Sequence, residues 1–343
     1  MPVLLDRGVE QTSVDLRDLI RRQAPSEVDY GRGADQLDIA LINSMPDLAL
    51  RETERQFCRL LEAASPDLSV RLTVLSMPEV RRGEWAQQYV TDTYADFSSI
   101  WDRRFDGVIV TGTEPRARKL DEEPYWATLT SVVDWVNTNS ISSIWSCLAA
   151  HVAVKYLDGV ERHLLDKKCS GVYQFLNRSR HPMLQGVPAN VRIPHSRYNG
   201  LRLEDLQSRG YGVLTYSEHA GVDTFVKERG SLMVFFQGHP EYGAGTLLRE
   251  YRRDVGRYLR GEQSHYPEVP EGLLDAESTE QVMRFRDRAM SARSDVNIEM
   301  FPLEAIERRL TACWSETAVQ IYRNWLVFLA SKKQDAIAPA SVS

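Results

Sequence analysis

Ser142-Ser143-Ile144-Trp145-Ser146-Cys147-Leu148-Ala149-Ala150-His151 reads as a short strand that runs into a sharp turn and then a helix, with a cysteine at the turn. A thiol held there feels the dipole of the helix N-terminus, and a nearby imidazole can take its proton; both effects favour the reactive thiolate. A second strand, Val234-Phe235-Phe236-Gln237-Gly238-His239-Pro240-Glu241-Tyr242, ends in a histidine with a carboxylate two residues later. A cysteine ahead of a helix is by itself more often a small buried hydrophobe than a nucleophile. The His-Pro-Glu segment makes Cys147, His239 and Glu241 a candidate set of nucleophile, base and orienting acid. His-x-Glu places both side chains on one side of an extended segment, whereas a tight turn at Pro240 would fold the carboxylate back onto the imidazole.

Working outward, the chain alternates strand and helix. Leu37 to Ile42 is a buried strand candidate, broken into a loop by Asn43-Ser44-Met45-Pro46-Asp47. Arg51 to Leu61 has helical character, with Phe57, Leu60 and Leu61 on one face as core. Val70 to Val74 is a further strand. Gly107-Val108-Ile109-Val110-Thr111-Gly112 is an apolar strand that delivers a glycine-bearing loop, the kind that forms pockets in open α/β sheets. Trp126 to Val136 reads as a helix leading back to the Cys147 strand. This alternation predicts an α/β fold built on a doubly wound, mostly parallel sheet.

Composition narrows the function. With 343 residues, 43% hydrophobic and 26% charged, the chain can bury a full core. A net charge of -6 argues against general affinity for nucleic acid or an anionic membrane, although a local basic pocket could hold a phosphorylated cofactor. Four scattered cysteines without a Cys-x-x-Cys pair suggest neither a zinc site nor a disulfide framework, and point to a reducing, cytoplasmic compartment. Neither a secretory leader nor an apolar run of membrane-spanning length is recognised.

The remaining segments are read more plainly. Residues 1–36 are polar and poorly periodic, a lead-in to a domain over 37–332, and 333–343 are read as a disordered tail. Lys167 to Val172 and Pro194-His195-Ser196-Arg197-Tyr198 have the composition of solvated surface turns. Thr246 to Arg253 looks like a charged helix and Pro267 to Glu280 like a surface connection. Glu304 to Lys332 shows long helical periodicity, with Trp314, Ile321, Trp325 and Phe328 as packing bulk.

Several short motifs occur together in one order: Met45-Pro46, Glu52-Thr53-Glu54-x-Gln56-Phe57, Val110-Thr111-Gly112, Cys147, Lys168-x-Ser170-Gly171-Val172-Tyr173, Pro194 to Tyr198 and Gly238 to Tyr242. In this the chain, from about residue 37 to the Trp314 and Asn324-Trp325 region, resembles the homoserine O-succinyltransferase family, itself related in fold to class I glutamine amidotransferases. The resemblance implies a flavodoxin-like domain with a helical C-terminal segment, a homodimer and a cytoplasmic role in methionine biosynthesis. It implies an acyl-CoA, succinyl-CoA or acetyl-CoA, as co-substrate, L-homoserine as acceptor, no permanently bound cofactor and no metal. On matching positions Cys147 would carry the acyl group, His239 would be the base and Glu241 would orient it. Lys168 and Arg253 would bind substrate, Ser196 would bear on substrate choice and Arg116 on the acyl-CoA used. Where the family commonly carries lysine after Met-Pro, Asp47 and Leu48 follow here, and Leu148 replaces the usual tryptophan after the cysteine.

Other functions use the same residue types. An amidotransferase also employs a Cys-His-Glu set, but its cysteine normally has glycine close after it and then glutamine, which Cys147 to His151 lack. A catalytically silent binding protein of the same fold would take no acyl adduct on Cys147. Within the resemblance, acetyl-CoA as donor and L-serine as acceptor are the alternatives.

Overall fold

The computed structural model describes residues 3–6, 36–293 and 296–337. Among them, the main sheet has the spatial order β1 (Val3–Asp6), β3 (Ser69–Leu75), β2 (Gln36–Ile42), β4 (Phe105–Val110), β5 (Ser140–Ser146), β12 (Leu232–Phe236), β11 (Thr224–Glu228), β8 (Gly212–Val213). Pairing is parallel from β1 to β12 and antiparallel for β11 and β8. Leaving the edge strand β1 aside, the parallel strands run second, first, third, fourth, fifth, which is the flavodoxin-like doubly wound order. The winding reverses between β2 and β4, so the loops after β2, β4 and β5 open along one edge of the sheet.

Both faces of the sheet are covered, which is why its strands are apolar throughout rather than alternating. Leu37, Ile39 and Leu41 of β2 share one core with Phe57 and Leu61 of α1 (Asp47–Ala64). Tyr322, Trp325 and Leu329 from the C-terminal helix complete that core. Ala40 and Ile42 face the other side, against Val132, Val133 and Val136 of α3 (Trp126–Asn139) and Val152 of α4 (Leu148–Asp158). The separation follows from the two-residue period of a strand. α2 (Glu84–Thr93) lies between β3 and β4 in the chain. A side chain at Gly107 of β4 would meet the Trp325 ring at 2.6 Å, so the indole fills the place of a missing Cβ. Its Nε1 donates to Ser142 Oγ at 2.9 Å.

A second, antiparallel sheet has the order β10 (Gly221–Val222), β9 (Thr215–Ser217), β6 (His163–Asn177), β7 (Asn190–Gly200). Lys167 to Val172 and Pro194 to Tyr198 are therefore strands rather than surface turns, with Ser170 paired to Ser196. The helices that follow are α5 (Leu203–Ser208), α6 (Thr246–Leu259), α7 (Ala276–Ser291), α8 (Leu303–Glu307) and α9 (Ser315–Ile337). The periodicity of 304–332 is thus divided between two helices. In the break Trp314 is buried and its Nε1 donates to the Tyr242 carbonyl at 2.9 Å.

The ends also differ from the sequence reading. Part of the lead-in, Val3–Asp6, is an edge strand on β3, while 7–35 lie outside the described residues. Helix α9 runs past the expected start of the tail: Lys333 Nζ pairs with Asp106 at 2.7 Å and donates to the Gln36 carbonyl at 2.8 Å. Residues 338–343 lie outside the described residues. Among the described residues no helix is long and apolar enough to cross a membrane.

Candidate active site

Cys147 stands between β5 and α4 with φ 53° and ψ -113°, the sole non-glycine with positive φ among the described residues. A side chain held in so sparsely populated a conformation requires surroundings that over-determine it. They do: the Cys147 N–H donates to the Phe236 carbonyl at the end of β12 at 2.7 Å, and its carbonyl accepts from His151 N–H at 3.3 Å. The turn thereby lifts the thiol out of the sheet at the head of α4, whose first N–H groups lack intrahelical partners. Leu148 N–H is the first of these. A Cβ on Gly112, in the loop after β4, would lie only 3.3 Å from that nitrogen, so glycine keeps the approach to it clear.

His239 and Glu241 follow β12. The Tyr242 N–H donates to the His239 carbonyl at 3.1 Å, closing a turn over Pro240. That turn folds the carboxylate back, as the second of the two sequence alternatives requires, and His239 Nδ1 sits 2.9 Å from Glu241 Oε1. The imidazole lies within interaction range of the Cys147 sulfur. Burial alone would drive the proton off His239, but the Glu241 carboxylate and Cys147 together hold the imidazolium well above the usual histidine range. Tyr242 stacks on the ring at 4.2 Å between centroids, a cation–π arrangement when the ring is charged.

A buried polar layer fixes this turn from behind. The His239 N–H donates to the Pro194 carbonyl of β7 at 2.8 Å, and the Gly238 N–H to Asp223 Oδ1 at 2.7 Å. Fully buried His195 places Nε2 3.3 Å from the same Asp223 oxygen and accepts from Arg197 Nε at 3.2 Å through Nδ1. Because arginine can only donate, the His195 proton must sit on Nε2, facing Asp223. Burial drives the His195 pKa down to about 4. Beside it, Gln237 Nε2 donates to the Val222 carbonyl at 2.6 Å, so Oε1 is left to accept from Leu201 N–H and from His151 Nε2, each at 3.0 Å.

The second sheet and α6 bring up the other expected residues. Lys168 Nζ lies 2.7 Å from Asp254 Oδ2 and 5.6 Å above the Tyr198 ring. Arg253 donates to Asp254 Oδ1 from Nε at 3.0 Å and Nη2 at 2.9 Å. Ser196 and Tyr198 share one face of β7, while His195 and Arg197 point into the buried layer. Arg253 also feels Glu250 and Tyr242, and Tyr242 donates from its hydroxyl to Glu250 Oε1 at 2.8 Å. Lys168, Arg253, Tyr242 and His239 therefore form one connected wall. Arg116 stands apart. It is exposed on the loop after β4, with its backbone N–H donating to buried Glu123 at 3.0 Å. Among the described residues no hydrogen bond or ion pair joins its side chain to Cys147, His239 or Glu241.

Asp254 escapes the sequence reading, because beside Arg252-Arg253 it looks like one more charge on a solvated helix. Asp223 and Gln237 escape it too, having no motif of their own. The only available signal was in Gln237, a polar residue directly after an apolar strand.

The model of a family described as homoserine O-succinyltransferase matches residues 23–336. Homoserine O-succinyltransferase of Rhodopseudomonas palustris is 44% identical over 316 residues, 90% of this chain and 95% of that protein. Its counterpart in Methylorubrum extorquens is 43% identical, over 87% of this chain and 88% of that one. Among solved structures, a glutamine amidotransferase from Methylobacillus flagellatus is similar at a TM-score of 0.49 and 15% identity, over 86% of this chain and 95% of that one. With a family match spanning all but the two ends, and relatives above 40% identity across most of their own length, the chain belongs to the homoserine O-succinyltransferase family.

Proposed function

We propose that this chain transfers a succinyl group from succinyl-CoA to the hydroxyl of L-homoserine in methionine biosynthesis, through a thioester on Cys147. The observation that carries the reading is the elbow that sets Cys147 within reach of His239, itself backed by Glu241 at 2.9 Å. Cys147 Sγ, whose proton is already held by His239, attacks the thioester carbonyl, and the Leu148 N–H receives the oxyanion. CoA leaves as a thiol with the proton from His239. L-Homoserine then enters, His239, neutral once CoA has left with its proton, takes the hydroxyl proton as the oxygen attacks the acyl-enzyme, and Sγ departs beside the imidazolium that has formed. Glu241 stabilises the imidazolium in both halves.

In this reading Lys168 and Arg253 hold the acceptor carboxylate, Ser196 bears on acceptor choice, and Arg116 pairs with the distal carboxylate of the succinyl group. The enzyme acts in the cytoplasm as a homodimer with acyl-CoA as co-substrate and without a resident cofactor. Acetyl-CoA and L-serine are the competing donor and acceptor.

One experiment tests the scheme: intact-mass analysis after mixing with succinyl-CoA or acetyl-CoA, then with L-homoserine or L-serine. The wild-type protein is expected to gain one succinyl group on Cys147 and lose it to L-homoserine. Cys147→Ala should gain none and lose all transfer while keeping its native circular dichroism. Transfer by that variant at the wild-type rate ends the acyl-enzyme scheme. Arg116→Glu should lower the preference for succinyl-CoA about tenfold, the worth of a charge-assisted hydrogen bond. A ratio within about twofold of wild type removes Arg116 from donor selection.

A further inference from the structure

We infer that Asp254 is a positioning residue of the acceptor site, which clamps Lys168 and Arg253 into one two-pronged receptor for a single carboxylate. The inference rests on the assignment of those two cations to the acceptor. Asp254 is adjacent to Arg253 on α6, and adjacent residues on a helix do not face each other. The Arg253 guanidinium must therefore fold back across the helix to place Nε and Nη2 on Asp254 Oδ1, at 3.0 and 2.9 Å. That occupies one edge of the guanidinium. The edge made by Nη1 and the second Nη2 hydrogen remains, a pair of parallel donors that matches a carboxylate.

The other carboxylate oxygen does the same for the second cation. Lys168 Nζ donates one hydrogen to Asp254 Oδ2 at 2.7 Å and stands over the Tyr198 ring, so its remaining hydrogens are aimed rather than free to wander. The adjacent Lys167 instead turns out to solvent and meets Glu268, both groups about 70% exposed. The Asp254 side chain is only 6% exposed. Burial would raise its pKa, but Lys168 and Arg253 hold it below the usual carboxylate range, so the clamp is charged. Arg257 stands farther off, with Nη1 3.8 Å from Oδ1 and Nη2 turned to Glu114, so the close partners of Asp254 are Lys168 and Arg253.

Asp254→Asn tests this, because it keeps the shape and removes the charge. The release of CoA thiol in the absence of acceptor, which needs only Cys147 and His239, is expected to stay within about twofold of wild type, while the KM for L-homoserine rises about tenfold or more. If Asp254 served only to balance charge, its neutralisation would strengthen carboxylate binding and lower that KM; a lower or unchanged KM overturns the inference. Equal losses in thiol release and acceptor KM, with a lower melting temperature, would mean a general structural role and overturn it too. Asp254→Glu keeps the charge and displaces the carboxylate: positioning requires an intermediate KM, charge balance a wild-type one. The thermal shift produced by L-homoserine on Cys147→Ala, with and without Asp254→Asn, reads binding alone. It separates this inference from the acyl-enzyme scheme, whose own failure is a wild-type protein that releases no thiol from either acyl-CoA.

Discussion

His195 and His239 occupy neighbouring positions in the core yet are driven to opposite protonation states. His239 faces a carboxylate and a sulfur, and its pKa is raised. His195 faces Arg197 on one edge and stacks on Phe175 at 5.0 Å, and even Asp223 on the other edge does not stop burial from taking its pKa down to about 4. The signs of their contributions to stability follow. The raised value of His239 adds stability that is full below about pH 6.5, the unfolded value, and disappears as pH rises through the folded one. The lowered value of His195 does the reverse: between about pH 6.5 and 4 the unfolded chain binds the extra proton, so stability falls as the solution is acidified. Wild-type protein should therefore lose on the order of 3 kcal/mol across that window through His195. His195→Gln, which can still accept from Arg197 but does not titrate, should lose that much less, as read from urea midpoints at both pH values. Parallel losses in the two proteins would exclude His195 as the source. Cys147, His239 and Glu241 were legible because each sits at the end of a strongly apolar strand. His195 and Asp223 were not, since their meaning lies in a contact between residues 28 positions apart in the chain that no local pattern encodes.

At the scale of elements, β4 and α9 are fitted to each other. Gly107 presents bare backbone to the Trp325 ring, with Leu329 Cδ1 2.8 Å from where a Cβ would stand. Gly107→Ala should consequently strain both elements and destabilise the fold by about 1–3 kcal/mol, the usual cost of overpacking a core. Pairing it with Trp325→Leu should recover part of the loss, which a thermal melt of the single and double variants would show; strictly additive losses would mean that the two residues do not meet. Strands β2 to β5 were readable because burial on both faces makes them continuously apolar. β6 and β7 were not. The first half of β6 is largely exposed, its register against β7 shifts between Leu164 and Cys169, and Lys167-Lys168 interrupts any alternation. Their pairing depends on a partner strand that sequence alone does not identify. The break between α8 and α9 was hidden for the opposite reason, because the helical period resumes in nearly the same phase after Trp314.

Taken as one molecule, the chain closes its core with its last helix. A doubly wound parallel sheet could be anticipated from the alternation of strands with helices, but the covering of one sheet face by α9 could not. Ile321, Tyr322, Trp325, Leu326 and Leu329 pack with Leu37, Ile39 and Leu41, and Trp325 reaches Ser142 in a central strand. A chain ended before Ser315 should accordingly be insoluble or bind a hydrophobic dye strongly, because that face of the sheet would be bare; a soluble truncated monomer with a native melt would contradict this. The same arrangement governs synthesis. A ribosome emits β2 about 270 residues before α9 begins, so the growing chain carries an open apolar sheet until that helix is made. The enzyme cannot mature piecemeal, and chaperone occupancy during its production should persist until α9 emerges.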